Sequence, residues 1–436
     1  MATKFFWGIP AIFGVVAAVG CGSSDADLVD GVFTSEEWVK VQTLSPLPER
    51  PPPDTTNKYA DDPKAAVLGQ QFFFEKGYSG PLFVGDDGTN GGLGAAGEEG
   101  KVACVSCHEG EWMIDIRSKP NNATLGADWL PRNANSIVNA AYYSPWIEND
   151  GISDSMWSDA LIDPDELSIA MNGSRLRVVH VIYEKYQAEY DAVFDPDLDP
   201  SIATLPLHGK PGMPDWEMLT ADQKKMVNTV FVNFGKALQA YMRLLVSGNS
   251  AFDKYVAGDT SALSPSAKNG LKLFVGKANC VECHKTSHFS DDKFHVIGLV
   301  AEGPHIVEDE TGRANVLDRM IQNPFNSDGE FSDDRNTGRL ADLPMSDAEV
   351  GKWRTKGLRN VAMTGPYMHT GQFDNLTDVV KFYNEGGDPS GFVGVKDKAI
   401  KELNLTDAEI ADIVAFLESL TGDVVPVELR TDTSKK

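Results

Sequence analysis

The chain has little of what would tie it to nucleic acid, to a bilayer interior or to a disulfide framework. Against 64 Asp and Glu it carries only 39 Lys and Arg, a formal net charge of −25 over 436 residues. Phosphate binding needs clustered basic side chains, so this balance argues against a nucleic-acid partner. It suits solubility, or a basic protein partner. No long apolar run occurs beyond residue 20, and the run before it, Phe5 to Gly20, is about 16 residues, short for a spanning helix. Strand patterns are sparse and short. There are only five cysteines: Cys21, Cys104, Cys107, Cys280 and Cys283. What is present is ordinary globular material, 42% hydrophobic and 24% charged, in a length that suggests two or three domains.

The N-terminus reads as an export signal. Lys4 precedes the apolar run, and Val19-Gly20-Cys21 is followed by Gly22-Ser23-Ser24. The order resembles a bacterial lipobox, on which residues 1–20 are removed and Cys21 becomes the lipidated first residue. An ordinary cleavable signal with an incidental cysteine is the alternative. The expected location is the periplasm or the outer surface of a bacterium, with membrane attachment only through the lipid. Residues 21–61 are polar and Pro-rich, including Pro51-Pro52-Pro53, and read as an extended tether.

Ordered structure is expected to begin near Pro63, with a short helix to Phe74. Residues 80–100 are Gly-rich and acidic but lack the Lys-Ser/Thr ending of a phosphate loop, so they read as a surface loop. Thr220 and Gln223 have capping-box spacing and open a helix whose apolar residues recur from Met226 through Leu245. Ser264-Pro265 opens a second, running towards Phe274, and Thr406 with Glu409 opens a third that stops by Gly422. The chain is therefore mainly α with long loops.

Without Cys21, the cysteines form two pairs of identical spacing: Cys104-Val105-Ser106-Cys107-His108 and Cys280-Val281-Glu282-Cys283-His284. This is the order that c-type heme attachment requires. Two thiols add across the porphyrin vinyl groups, and the adjacent histidine lies under the ring and ligates iron. Zinc would need a second Cys or His pair near each motif, and only His288 lies near one. Two covalent hemes c are expected, in two related cytochrome c-like heme domains: residues 62–255 and 256–425, followed by a tail, 426–436.

The sixth position of each iron divides the possible functions. An electron carrier closes both faces of both hemes, whereas an enzyme leaves one open. After His108 the next histidine is His180. Met113 follows His108 too closely to reach the opposite ring face easily, and nothing around Met156 or Met171 compels ligation. The first heme therefore reads as open.

Through these motifs the chain resembles the bacterial di-heme cytochrome c peroxidase and MauG family. The likeness covers roughly residues 62–422 and is carried by 68–73, 100–103, 131–140, 249–255, 270–274 and 358–369. It implies that His108 is the proximal ligand of a peroxide-binding heme. Many relatives close that heme with a histidine just before the Arg-Asn segment, but Leu125-Gly126-Ala127-Asp128-Trp129 holds none. The resemblance further implies Trp146 between the hemes and Glu166 as the acid that handles peroxide protons, with Asp159 the nearest polar match to a distal glutamine. Asn133, Thr364 and Pro366 match the ligands of a calcium ion between the domains, an oxygen set suited to a hard cation.

At the second heme, peroxidases of this family place a methionine fourteen residues after the histidine of Pro366-Tyr367-Met368-His369; here that position is Tyr383, as in MauG-type enzymes. Met368 is the alternative ligand. Thioether ligation raises the iron potential, while an anionic phenolate favours ferric and higher states. The resemblance thus implies an enzyme that uses hydrogen peroxide to oxidise a substrate, such as aromatic residues of a partner protein. A peroxidase fed by a small cytochrome and a di-heme electron carrier are the alternatives.

Overall fold

A computed structural model describes residues 28–86, 92–120, 123–143, 145–308, 310–345 and 347–435. The export signal, Cys21 and the tip of the Gly-rich loop lie outside them. Eleven α-helices occur among the described residues: α1 (Ser35–Gln42), α2 (Pro63–Phe74), α3 (Met156–Asp159), α4 (Arg175–Asp191), α5 (Pro214–Glu217), α6 (Ala221–Met242), α7 (Ala251–Val256), α8 (Pro265–Val275), α9 (Arg313–Gln322), α10 (Leu376–Asn384) and α11 (Asp407–Glu418). One small antiparallel sheet pairs β1 (Phe294–His295) with β2 (Trp353–Arg354), setting His295 opposite Trp353. The fold is mainly α, and no described helix is long and apolar enough to cross a membrane.

Local chemistry starts the helices where the sequence predicts. Asp62 accepts the Lys64 and Ala65 amides with Pro63 in the first turn of α2. Thr220–Gln223 and Thr406–Glu409 close reciprocal capping boxes on α6 and α11, and Ser264 caps α8. Two helix pairs then cross closely. α2 lies on α6 and α8 lies on α11, and each crossing depends on a glycine. A Cβ on Gly69 would stand 1.9 Å from the Ala237 carbonyl oxygen, and one on Gly270 would stand 1.9 Å from that of Asp412. One apolar cluster gathers Phe72, Trp157, Tyr186, Phe231 and Tyr241. A second gathers Phe252, Phe274, Phe289 and Phe416.

The segment expected to be an extended tether is folded from residue 28 onward. α1 begins with a Thr34–Glu37 capping box, and Phe33, Val41 and Leu44 are buried in the second cluster. The Pro-rich stretch is a strap. A backbone without internal hydrogen bonds leaves its carbonyls free, and Arg243 donates to those of Pro51 (3.3 Å) and Pro52 (2.7 Å). Thr56 then accepts the Trp157 indole N–H at 3.0 Å, and Asn57 donates to Gln239 at 2.9 Å. The C-terminal tail is also tied down: Tyr241 donates to the Leu429 carbonyl at 2.6 Å and Gln70 to that of Glu428 at 2.7 Å. The chain ends are thus exchanged. The N-terminal arm packs into the second cluster, while Val425 lies in the first.

Candidate heme sites

Both Cys-x-x-Cys-His motifs fold into the same turn. The Cys107 and His108 amides donate to the Cys104 carbonyl at 3.1 Å each; those of Cys283 and His284 donate to Cys280 at 3.3 and 2.9 Å. None of the four cysteines is in a disulfide. Burial pushes the thiols up, Cys104 and Cys280 to about 12 and Cys283 to about 11.

The second motif opens on a cavity of about 470 Å³, within the range of roughly 300–1,000 Å³ usual for cofactor pockets. Cys280, Cys283, His284, Met368 and Tyr383 all line it. His284 Nδ1 donates to the carbonyls of Phe289 (3.0 Å) and Lys356 (3.1 Å). That pair of acceptors fixes the tautomer and leaves Nε2 unprotonated, as an iron ligand must be. Tyr383 comes from α10, and burial together with the nearby Cys280 and Cys283 pushes its hydroxyl well up. The donor set fits a heme c: two unpaired thiols, an oriented imidazole and a phenol on one cavity. His295 completes a side network. Its ligand nitrogen comes within 4.8 Å of Cys283 Sγ and an Asp291 carboxylate oxygen. Both its ring nitrogens already meet carboxylates, Asp397 at 2.7 Å and Asp291 at 3.2 Å, so an ion-pair network accounts for the group.

The first motif is surrounded differently. Burial lowers the His108 pKa, opposed by the Glu148 and Asp115 charges. Its buried Nδ1 has no hydrogen-bond partner of normal geometry. Close by stands a crowded group of acids, Glu148 and Asp159 half-buried and Asp163 at the surface. Burial, then the Glu148 charge, pushes Asp163 to about 7. The same two causes, with Asp163 added, raise Asp159 far above the usual carboxylate range. Asp159 lines the large cavity and its Oδ1 has no partner. Lys356 also lines the cavity, and burial with the Arg354 charge brings it down to about 7. Asp163 and Lys356, shifted to about 7, can both take and give protons near neutral pH.

The other predicted residues divide. Glu166 accepts two bonds from Arg319 on α9, at 2.5 and 3.2 Å; like Cys104, Cys107 and His108, it is not on the wall of the large cavity. Its partner lies 153 residues away, so spacing along the chain could not reveal the pairing. Trp146 also stands off the wall, 4.5 Å beneath the Arg313 guanidinium. Trp353, which sequence reasoning missed, lines the wall and stacks on His369 at 3.9 Å. Burial, then the Arg132 and Lys356 charges, holds His369 down to about 3. Asn133, Thr364 and Pro366 all line the cavity, with Asn133 Nδ2 donating to the Pro366 carbonyl at 3.1 Å. Met156 is on the wall, whereas Met113 and Met171 are buried in the first apolar cluster.

Known proteins with these features are recognisable. The family model described as di-haem cytochrome c peroxidase matches residues 63–261. The cytochrome-c peroxidase IdrP1 of Denitromonas iodatirespirans is 31% identical over 392 residues, covering 88% of this chain and 87% of that one. The methylamine utilization protein MauG of Methylorubrum extorquens is 25% identical, covering 97% and 96%. Among solved structures, a MauG-like protein associated with microbial copper homeostasis shares the fold, with TM-score 0.60 and 22% identity over 89% of this chain and 98% of its own. The diheme peroxidase BthA of Burkholderia thailandensis does so with TM-score 0.58 and 21% identity, covering 83% and 86%. Two heme-attachment turns, a shared fold and near full-length similarity lead to one conclusion: the chain belongs to the di-haem cytochrome c peroxidase family, which includes MauG.

Proposed function

We propose that this protein uses hydrogen peroxide at an open His108-ligated heme to oxidise a substrate in the MauG manner, with aromatic residues of a partner protein as the substrate class. One observation carries the reading: two identical turns open on surroundings of opposite chemical character. Tyr383 faces Cys280 and Cys283, whereas His108 stands among crowded acids. When bound, the hemes supply redox-active iron able to accept the oxidising equivalents of the peroxide bond. The chain supplies the rest. Asp159, held protonated, gives its proton to the departing oxygen and recovers one from the entering peroxide. Burial, then the Glu148 and Asp163 charges, keep the proton on it until the transfer by opposing its ionisation. Asp159 thereby assumes the task the family resemblance gave to Glu166.

At the other heme, Tyr383 is the proposed sixth ligand in preference to Met368, because its hydroxyl lies on the cavity wall beside both cysteines. A calcium ion on Asn133, Thr364 and Pro366 is part of the same proposal, as is an exported, Cys21-anchored protein. The test is peroxide added to the diferric holoprotein. A long-lived oxidised spectrum is expected, and Tyr383→Phe should alter the second heme spectrum and shorten that lifetime. Immediate decay in the unaltered protein would defeat the reading. The second reading, peroxide reduction by a small reduced cytochrome, is favoured by the higher identity to IdrP1 than to the MauG of Methylorubrum extorquens over most of the chain. Sustained turnover with reduced cytochrome c would establish it.

A further inference from the structure

We propose that a second, smaller pocket behind Trp353 binds a neutral phenol or hydroquinone, and that Trp353 carries its electron into the heme cavity. This rests on the peroxide reading above. The pocket has a volume of about 120 Å³ and lies between the segments 296–301, 306–308 with Glu310, and 391–393. Ile297, Trp353 and His369 line both this pocket and the large cavity, so the Trp353–His369 stack is a partition with a face on each side. The rings are 3.9 Å apart and 16° from parallel. β-pairing to His295 and the Arg132 guanidinium 4.9 Å from the indole hold the stack in place.

Charge distinguishes Trp353 from Trp146 as a redox station. Arg132 above Trp353 is bound by Asp150 at 2.6 Å and by Glu310 at 2.9 Å, so two carboxylates outweigh one cation beside the ring. Arg313 above Trp146 hydrogen-bonds the carbonyls of Asp150 and Gly151 and feels the Asp150 and Glu349 carboxylates only through space, with no direct ion pair among the described residues. An indole gives up an electron more easily beside net negative charge than beneath a guanidinium without a bound carboxylate.

The walls select the occupant. Leu299, Val300, Ile306, Phe392 and Val393 are apolar, and Glu308 and Glu310 are the acids of the lining. An anion meets the two carboxylates, and a cation gives up its hydration to an apolar wall. A water needs roughly 10–15 Å³, so the space suits one planar ring and not a peptide segment. Two reductant molecules each lose one electron and one proton, the proton passing to solvent by way of Glu308. Those two electrons and two protons, with the O–O bond broken, turn one hydrogen peroxide into two waters.

The test uses the holoprotein and p-cresol in ligand-observed NMR without peroxide. The p-cresol signals should broaden with the unaltered protein, and Val393→Trp, which fills the pocket, should abolish that broadening. In turnover with hydroquinone, p-cresol should compete. Val393→Trp should raise KM by about tenfold or more, and Trp353→Phe, which keeps the stack, should lower kcat by about tenfold or more. Broadening that survives Val393→Trp, or an unchanged kcat in Trp353→Phe, overturns the proposal. Absence of peroxide consumption with any reductant overturns the peroxide reading instead, and the NMR result still decides the pocket.

Discussion

The turns at Cys104 and Cys280 share a backbone and differ in nearly everything around it. His284 Nδ1 is held by two carbonyls, whereas the buried Nδ1 of His108 has no partner of normal geometry. A phenol stands near one pair of cysteines, and Asp159, Asp163 and Glu148 stand near the other motif. The comparison teaches that a repeated attachment device does not repeat a function. The turn fixes where a heme is tied, and a few side chains beyond it fix what the iron can do. Deleting each attachment is the strongest way to break the comparison. Cys104→Ser with Cys107→Ser should remove one covalent heme by mass spectrometry and reduce peroxide turnover to background. Cys280→Ser with Cys283→Ser should remove the other heme, yet leave a high-spin signal that still responds to peroxide. Identical spectra for the two double variants would sink the division of labour.

Next in size is the acid at the open site. Losing a positioned general acid–base costs about 10²–10⁴-fold. Asp159→Asn should lower kcat/KM for peroxide by that order in stopped-flow measurements, with the first heme spectrum retained. Glu166→Gln, which only breaks the pair with Arg319, should stay within about tenfold. The reverse ranking would restore Glu166 to the role expected from its position in the chain.

This pair of residues shows how far the sequence could be read. The heme turns, the helix starts at Asp62, Thr220, Ser264 and Thr406, and the mainly α class follow from local chemistry, and local chemistry is legible. Glu166 pairs with Arg319 and Trp146 lies under Arg313, partners more than 150 residues distant that no spacing rule reaches. The same limit explains the arm at 28–61. Its composition is that of a linker, but Arg243 and Gln239 on α6 give its carbonyls and side chains partners. Trp353 was overlooked because nothing in its immediate sequence distinguishes it from a packing residue.

The halves should also respond oppositely to pH. Burial alone would raise Asp253, but Arg359 at 2.8 and 2.9 Å, with Ser45 and Ser250, brings it down to about 2. A carboxyl held below its unfolded value of about 3.9 adds stability above that pH and loses it as pH falls towards 2. Asp163, held up at about 7 by burial and Glu148, works the other way: its contribution is present at low pH and is lost as pH rises from about 4 through 7. Hydrogen exchange across pH should therefore show the second cluster loosening first in acid. Asp253→Asn should cost about 3 kcal/mol at neutral pH and flatten the acid limb, because it leaves Arg359 buried without its partner. Asp163→Asn should flatten the slope between about pH 4 and 7. An unchanged acid limb in Asp253→Asn would remove the pair from the account.

The smallest expected effect concerns what the two halves have in common. Gly69 and Gly270 each let one helix touch the backbone of another, and an added methyl at either would meet a carbonyl oxygen at 1.9 Å. No side-chain rotation relieves a collision with backbone, so α2 must lift from α6, or α8 from α11. Such overpacking costs about 1–3 kcal/mol. Gly69→Ala and Gly270→Ala should therefore lower the unfolding midpoint in denaturant by similar amounts. Each should speed amide exchange mainly in its own helix pair. Because α8 ends only a few residues before Cys280, whereas α2 ends about thirty before Cys104, Gly270→Ala should also disturb its heme spectrum more than Gly69→Ala does. Equal midpoints with unequal spectra would mean that the halves are equivalent as scaffolds and differ in how tightly scaffold and heme are coupled. A midpoint unmoved by one of the two substitutions would mean that the repeat ends at the backbone turn and does not extend to the helices behind it.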